Sequence, residues 1–175
     1  LNLAELTGNS KLLGTVDLDI DANGAGFDVK NINTKLVGKI RNFYFNGFVF
    51  KEIDINGILD KKKFSGKAFY DDGCFLFKFN GIADFNQTIP SYDFALDAKN
   101  VNLQELNLSK DSIILSFDGK IKASGNKIDN INGKAFLNNI IVQNNKNMLT
   151  LSDLSANIIS EKKFKNYTIH SNEVD

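Results

Sequence analysis

The sequence predicts an all-β fold: an elongated, curved, mostly antiparallel sheet folded into an open U-shaped, β-taco-like groove, with a closed β-sandwich or β-helix as the alternative. Three observations predict it. Apolar and polar residues alternate over most of the chain, the period of a strand with one covered face. Turn signals rich in Asn, Asp and Gly recur about every ten residues, the spacing of an all-β protein. A loose repeat, apolar-x-apolar-x-Gly-x-apolar, is complete around Gly57, Gly81 and Gly119 and partial around Gly38, Gly66 and Gly133. Glycine inside a strand weakens it, so its recurrence calls for a bend in the sheet, for space beside it, or for ordinary bulges.

The elements follow in order. Leu1 to Leu6 is apolar without a period. Lys11 to Asp21 alternates, with Leu12, Gly14, Val16, Leu18 and Ile20 on one face and Asp17, Asp19 and Asp21 on the other. Asn23-Gly24-Ala25-Gly26 reads as a turn. Ile32 to Ile40 is a strand. Asn42 to Phe50 is a hairpin about Asn46-Gly47, a strong two-residue turn signal. Lys51 to Leu59 is the next strand, ending at the turn Asp60 to Lys63. Phe64 to Phe85 holds two strands about Asp71-Asp72-Gly73, an Asp-Gly signal for a two-residue hairpin, with Phe75, Phe77 and Phe79 on one face. Tyr92 to Ala98 is a strand. At Asn100 to Leu108 the period is lost, and Leu103, Leu106 and asparagine caps fit one helical turn or a short crossover. Ser112 to Gly125 and Ile128 to Val142 are long strands. Gln143 to Asn147 is a turn. Leu149 to Ile158 is a strand with a slip or bulge near Asp153. Tyr167 and Ile169 belong to a last strand. The count is about eleven short strands in a single all-β segment, residues 1–175.

Composition narrows the function. The 175 residues carry 21 basic and 21 acidic side chains, without the basic surplus of a nucleic-acid binder. The chain holds 15 Phe and no Trp, which suits strands that bury one face. No run approaches the ~18 apolar residues that cross a bilayer. The first residue is Leu, without a leader-like run, so a segment of a longer protein is expected. Cys74 has no second cysteine to pair with. His170 has no ligand-spaced partners, so no metal or cofactor is expected. Asp17, Asp19 and Asp21 read as a solvated face. No paired carboxylates, nucleophile constellation or phosphate loop appears, and no catalytic role is expected.

Three stretches carry a resemblance: Phe48 to Gly57 (FVFKEIDING), Phe64 to Asp72 (FSGKAFYDD) and Phe77 to Phe85 (FKFNGIADF). Ala98 to Leu108 (AKNVNLQELNL) and Ser124 to Gly133 (SGNKIDNING) add to it. Together they resemble the TamB (translocation and assembly module) family of Bacteroidetes type, within the AsmA-like superfamily. The resemblance covers most of the chain and rests on strand grammar. It implies an interior segment of a periplasmic bridge anchored in the inner membrane. It further implies an apolar groove for phospholipid acyl chains, support of outer-membrane protein assembly, and a TamA-like barrel partner contacted through other regions. It supplies no catalytic residue.

The residues expected to line such a groove are the apolar in-face: Ile53, Ile55, Phe64, Phe75, Phe77, Phe79, Phe94, Leu96, Leu115, Phe117 and Ile121. Two packed sheets stand ~10 Å apart and leave no room for an acyl chain. A groove therefore requires this face to stay uncovered. A structural or adhesive domain with a dry core is the competing expectation, and cutting a continuous sheet also exposes edges capable of self-association.

Overall fold

The computed structural model describes residues 13–25, 31–125, 130–160 and 165–172. They form ten strands: β1 (Leu13–Ala25), β2 (Asn33–Phe45), β3 (Phe48–Asp60), β4 (Lys63–Asp71), β5 (Leu76–Asp84), β6 (Ser91–Asn102), β7 (Ile114–Ser124), β8 (Asn132–Gln143), β9 (Met148–Ser160) and β10 (Lys165–His170). Each strand pairs with its neighbours in sequence, all antiparallel, in one ten-stranded sheet. β1 does not pair with β10, so the sheet is open. The closed sandwich and the β-helix do not describe these residues. The predicted curved, open antiparallel sheet does.

The described strands are longer than the sequence suggested, for one physical reason. Where the period breaks, the chain bulges and continues instead of turning. Asp17 pairs with Asn42 and Leu18 with Ile40, which leaves Arg41 as an extra residue in β2. Across the ladder Glu52 has φ 58°, and Phe50 and Ile53 are both buried while Lys51 and Glu52 are exposed. Thus the breaks near Arg41 and Lys51 lie inside β2 and β3. The same device recurs at Asn100 (φ 55°) in β6 and Asn139 (φ 52°) in β8. In β9, Leu151 pairs with Ile140 and Leu154 with Leu137, so the face switches beside Asp153, where a slip was expected.

Turns mostly follow their residues. Phe45 pairs with Phe48, leaving Asn46 and Gly47 at φ 46° and 85°, the left-handed pair of a tight hairpin. Asp60 pairs with Lys63 across Lys61-Lys62. Asn144 accepts backbone hydrogen bonds from Lys146 and Asn147 in the β8–β9 turn. Two expectations need correction. Asn23, Gly24 and Ala25 pair with β2 and belong to β1. Asp71 pairs with Leu76, so the β4–β5 loop has four residues, 72–75, and not two. The Asp72 carboxylate widens it by accepting from the Cys74 and Phe75 amides. Leu1 to Leu6 lies outside the described residues.

The repeated glycines form a line. Gly57 pairs with Gly66 and Gly66 with Gly81, three strands in one rung. A Cβ on Gly66 would lie 2.4 Å from the Asn56 carbonyl oxygen and 2.5 Å from Gly57 Cα. On Gly81 it would lie 2.4 Å from Asp93 O and Phe94 Cα. The Phe64 ring lies over this row, with its Cε2 atom 2.6 Å from where a Gly57 Cβ would stand. Close backbone approach explains the glycines, and an aromatic ring fills the space they leave. Gly66→Val is expected to cost about 2 kcal/mol through forced backbone displacement. A chain of this size would then lose about 4–8 °C in Tm, read by circular dichroism, while Ser65→Ala on the exposed face leaves Tm unchanged.

Candidate functional site: the concave apolar face

Register places one apolar row after another on the same face. Leu36, Gly57, Gly66, Gly81, Phe94, Ile121, Ala135, Ala156 and Ile169 form one rung from β2 to β10. Gly38, Ile55, Ala68, Phe79, Leu96, Gly119, Leu137 and Leu154 form the next, from β2 to β9. The opposite face carries the charges. Lys39 pairs with Asp54 (3.4 Å) and Glu52 (3.5 Å), Lys78 with Asp97 (3.4 Å) and Lys122 with Asp93 (3.1 Å). Exposed pairs of this kind contribute little to stability. They share that face with the exposed side chains of Val37, Ile58, Phe69 and Phe136.

The apolar face is the concave one at its aromatic end. The backbones of β3 and β5 stand two ladder steps apart, ~9.6 Å. Yet the Phe50 and Phe77 ring centroids are 5.8 Å apart, and those of Phe50 and Phe75 are 5.9 Å apart. The rings of Phe50 and Phe77 lean together past the end of the β3–β4 ladder, as a sheet curled toward this face allows.

Of the eleven predicted lining residues, nine are half-buried: Ile55, Phe64, Phe77, Phe79, Phe94, Leu96, Leu115, Phe117 and Ile121. No second sheet of described residues lies over them. Phe64, Phe79 and Phe94 form a ladder of rings, with centroids 6.3 and 5.1 Å apart. The other two predicted residues are corrected. Phe75 is 2% exposed and Ile53 8%, and both sit inside a packed cluster instead of facing open space. Seven of the nine buried apolar residues found among those described belong to this cluster, so the dry core is local to one part of the sheet.

The cluster has a clear origin. β4 and β5 end early, at Asp71 and Leu76, while β2–β3 and β6 run on. The β6–β7 connection bends over the gap. It forms a helical-type turn, with Leu106 N donating to Asn102 O and the Gln104 amide donating to Asn102 Oδ1, as the cap reading expected. Leu106 fills the gap against Phe50, Tyr70 and Phe75. Two turn asparagines then clasp the β2–β3 tip to this loop. Asn46 Nδ2 donates to Leu106 O (2.8 Å) and Asn107 O (3.0 Å), and Asn107 Nδ2 donates to Asn46 O (2.8 Å). The sequence reading missed this clasp, since nothing local links residues 61 apart.

Asp72 anchors the same end. Burial pushes its carboxyl pKa up, but donation from the Phe75 and Cys74 amides and the Tyr70 hydroxyl outweighs burial, and the net shift is downward. Burial, then the bond to Asp72, raises Tyr70 far above the usual phenol range. The sequence reading also missed the extension of the strip over β8–β10, through Leu137, Leu154, Tyr167 and Ile169. The alternation that revealed the other rows was present there as well.

Other candidate groups stay apart from this strip. Cys74 is exposed in the β4–β5 loop. His170 lies opposite Ser155 on β10. Asp17, Asp19 and Asp21 are exposed on β1. A shallow, open depression of about 440 Å³ over Val37, Lys39, Asp54, Lys67 and Phe69 lies on the face that carries the ion pairs, rimmed by charged side chains. Among the described residues no helix is long and apolar enough to cross a membrane. No family model matches the chain, nor does any curated protein or solved structure.

Two outcomes are expected. Asn46→Ala and Asn107→Ala each cost about 1 kcal/mol, and a double-mutant cycle gives a coupling of at least ~0.5 kcal/mol because the bonds are shared. Asp72 has a lowered pKa, so its contribution is complete above about pH 4, the unfolded value, and is lost as pH falls through the folded one. Asp72→Ala should therefore lower Tm at neutral pH and flatten its fall in acid, measured by thermal melts across pH.

Proposed function

We propose that the concave apolar face is a groove that holds lipid acyl chains. One observation carries this reading: nine apolar side chains stay partly exposed with no second sheet of described residues over them, and six of these, Ile55, Phe64, Phe79, Phe94, Leu115 and Ile121, lie outside the packed cluster and its flank. A covered core would bury them. A surface meant for water would not place Phe79, Phe94, Leu96, Phe117 and Ile121 side by side, since contiguous apolar patches on monomers rarely exceed a few hundred Å².

The dimensions suit the ligand. Nine strands contribute to the longest row, so it spans about 38 Å at ~4.8 Å per step. One leaflet of a bilayer core is half of ~30 Å. Each shielded methylene contributes about 0.8 kcal/mol, so retention needs no polar recognition. The two rows hold no polar side chain, and the polar groups of the row beside them, Thr34, Tyr92 and Tyr167, are uncharged. Such a lining grips tails without selecting headgroups, which suits transfer more than storage of one species.

The TamB-like strand grammar extends the proposal. On that reading the chain is a periplasmic segment of an inner-membrane-anchored bridge. It passes phospholipid toward the outer membrane and supports outer-membrane protein assembly with a TamA-like barrel reached through other regions. Chemistry at the groove is binding alone, with no catalytic step.

Phe94→Asp and Ile121→Asp test the groove directly, because neither residue belongs to the packed cluster. Native mass spectrometry of detergent-free protein is expected to find phospholipid on the wild type. Each variant should lose most of it with an unchanged circular dichroism spectrum. A wild-type chain that never carries lipid, or variants that keep it, would overturn the proposal.

A further inference from the structure

The two ends of strands β3 to β6 are not alike. One end of the concave face is stoppered, because the β6–β7 connection folds over it and seats Leu106 in the packed cluster. At the other end β3 and β4 are joined by the turn Lys61-Lys62, too short to fold back over the sheet. The last concave row there, Leu59, Phe64, Ala83 and Tyr92, stays partly exposed. The charges differ as well. The connections at the stoppered end, residues 46–47, 72–75 and 103–113, carry Asp72, Glu105 and Asp111 against one cation, Lys110. Those at the other end, residues 61–62 and 85–90, carry Lys61 and Lys62 and no acid.

Lys61 and Lys62 are exposed, and among the described residues neither forms an ion pair. Asp60 and Asp84, the acids at this end of the strands, both stand opposite Lys63, and Asp84 also accepts from Asn86. They offset Lys63 and leave the turn lysines unopposed. The turn itself is fixed. Lys61 N donates to Ile32 O (2.6 Å), and Phe85 N donates to Lys62 O (2.9 Å). Tyr92 stands on the same row with its ring edge-on to Phe85, 5.8 Å between centroids. A tyrosine suits a boundary between apolar and wet surroundings, because its body is apolar and its tip polar.

We propose that this basic end is the headgroup side of the groove, where Lys61 and Lys62 attract the phosphate of a lipid whose tails run along the strands toward the stopper. The inference rests on the groove reading and adds an orientation to it. Leu59 to Ile53 spans six residues of β3, about 20 Å at ~3.4 Å per residue. The tails of one leaflet take up about 15 Å. Tails entering past Leu59 and Tyr92 therefore reach the wall of Phe77 and Leu96 with the phosphate still at the turn. The reverse orientation would bring phosphate to Asp72 and Glu105. A lysine meets phosphate as a mobile point charge and reads nothing beyond it, so any phospholipid is accepted.

Isothermal titration of delipidated chain tests this with two ligands, dihexanoyl phosphatidic acid and dihexanoylglycerol, which has the same tails without phosphate. The wild type is expected to prefer phosphatidic acid, and added salt to erode the preference. Lys61→Glu/Lys62→Glu should weaken phosphatidic acid at least about tenfold and leave dihexanoylglycerol within about twofold, with Tm unchanged because both side chains are exposed. Lys146→Glu, in an exposed turn at the opposite end, should change neither ligand. Inorganic phosphate and glycerol phosphate should not compete, and if either displaces phosphatidic acid the site is one for free phosphate and the proposal falls. It also falls if the charge reversal spares phosphatidic acid or weakens both ligands alike. A wild type that binds both ligands equally overturns the orientation and leaves the groove standing, whereas one that binds neither overturns the groove itself.

Discussion

Everything in this molecule depends on one sheet bending toward its own apolar face. A flat single sheet cannot shelter side chains, and two stacked sheets would bury them completely. Bending is made possible along two lines that cross the strands. The first is the rung Gly57–Gly66–Gly81, where neighbouring backbones approach too closely for any Cβ. The second is the series of left-handed bulge residues Glu52, Asn100 and Asn139, which return the apolar face to the same side after each kink. Without that phase correction, Phe50 and Val101 would point into water.

The bend has unequal consequences along the strands. Where β4 and β5 stop short, rings from β3 and β5 converge and the β6–β7 loop caps them, giving a dry cluster around Phe50, Tyr70, Phe75 and Leu106. This part supplies the stability. Farther along, the same apolar rows lack a covering and remain half-exposed. The division explains how a chain with so small a packed core keeps a defined shape while leaving Phe94 and Ile121 available. The outer face carries the ion pairs, with Lys78–Asp97 and Lys122–Asp93 directly across the ladder, interspersed with exposed apolar side chains such as Ile58 and Phe136.

Much of this was legible in the residues. Strict alternation gave the faces, and Asn46-Gly47 and Asp60 to Lys63 gave their turns, because those signals are local. The same alternation named nine lining residues that stay partly exposed, three of which, Phe77, Leu96 and Phe117, flank the packed cluster. Long-range geometry was less accessible. Bulges at Arg41 and Glu52 look like strand ends when only the period is read. Phe75 shares the parity of Phe77 and Phe79, yet the four-residue loop held by Asp72 turns it into the cluster. The Asn46–Asn107 clasp depends on loops brought together by the curl, and no window of sequence contains both. The glycine repeat was visible, but its alignment into one rung follows from register.

Photo-crosslinking tests the central claim most directly. A phospholipid with a diazirine near the end of its acyl chain would be loaded onto the chain, illuminated, and the labelled peptides mapped. An open trough predicts labels on concave-face residues such as Phe94, Leu96, Phe117 and Ile121, and none around Lys67 and Lys120 on the charged face. Labels spread over both faces, or absent from the concave one, would contradict it.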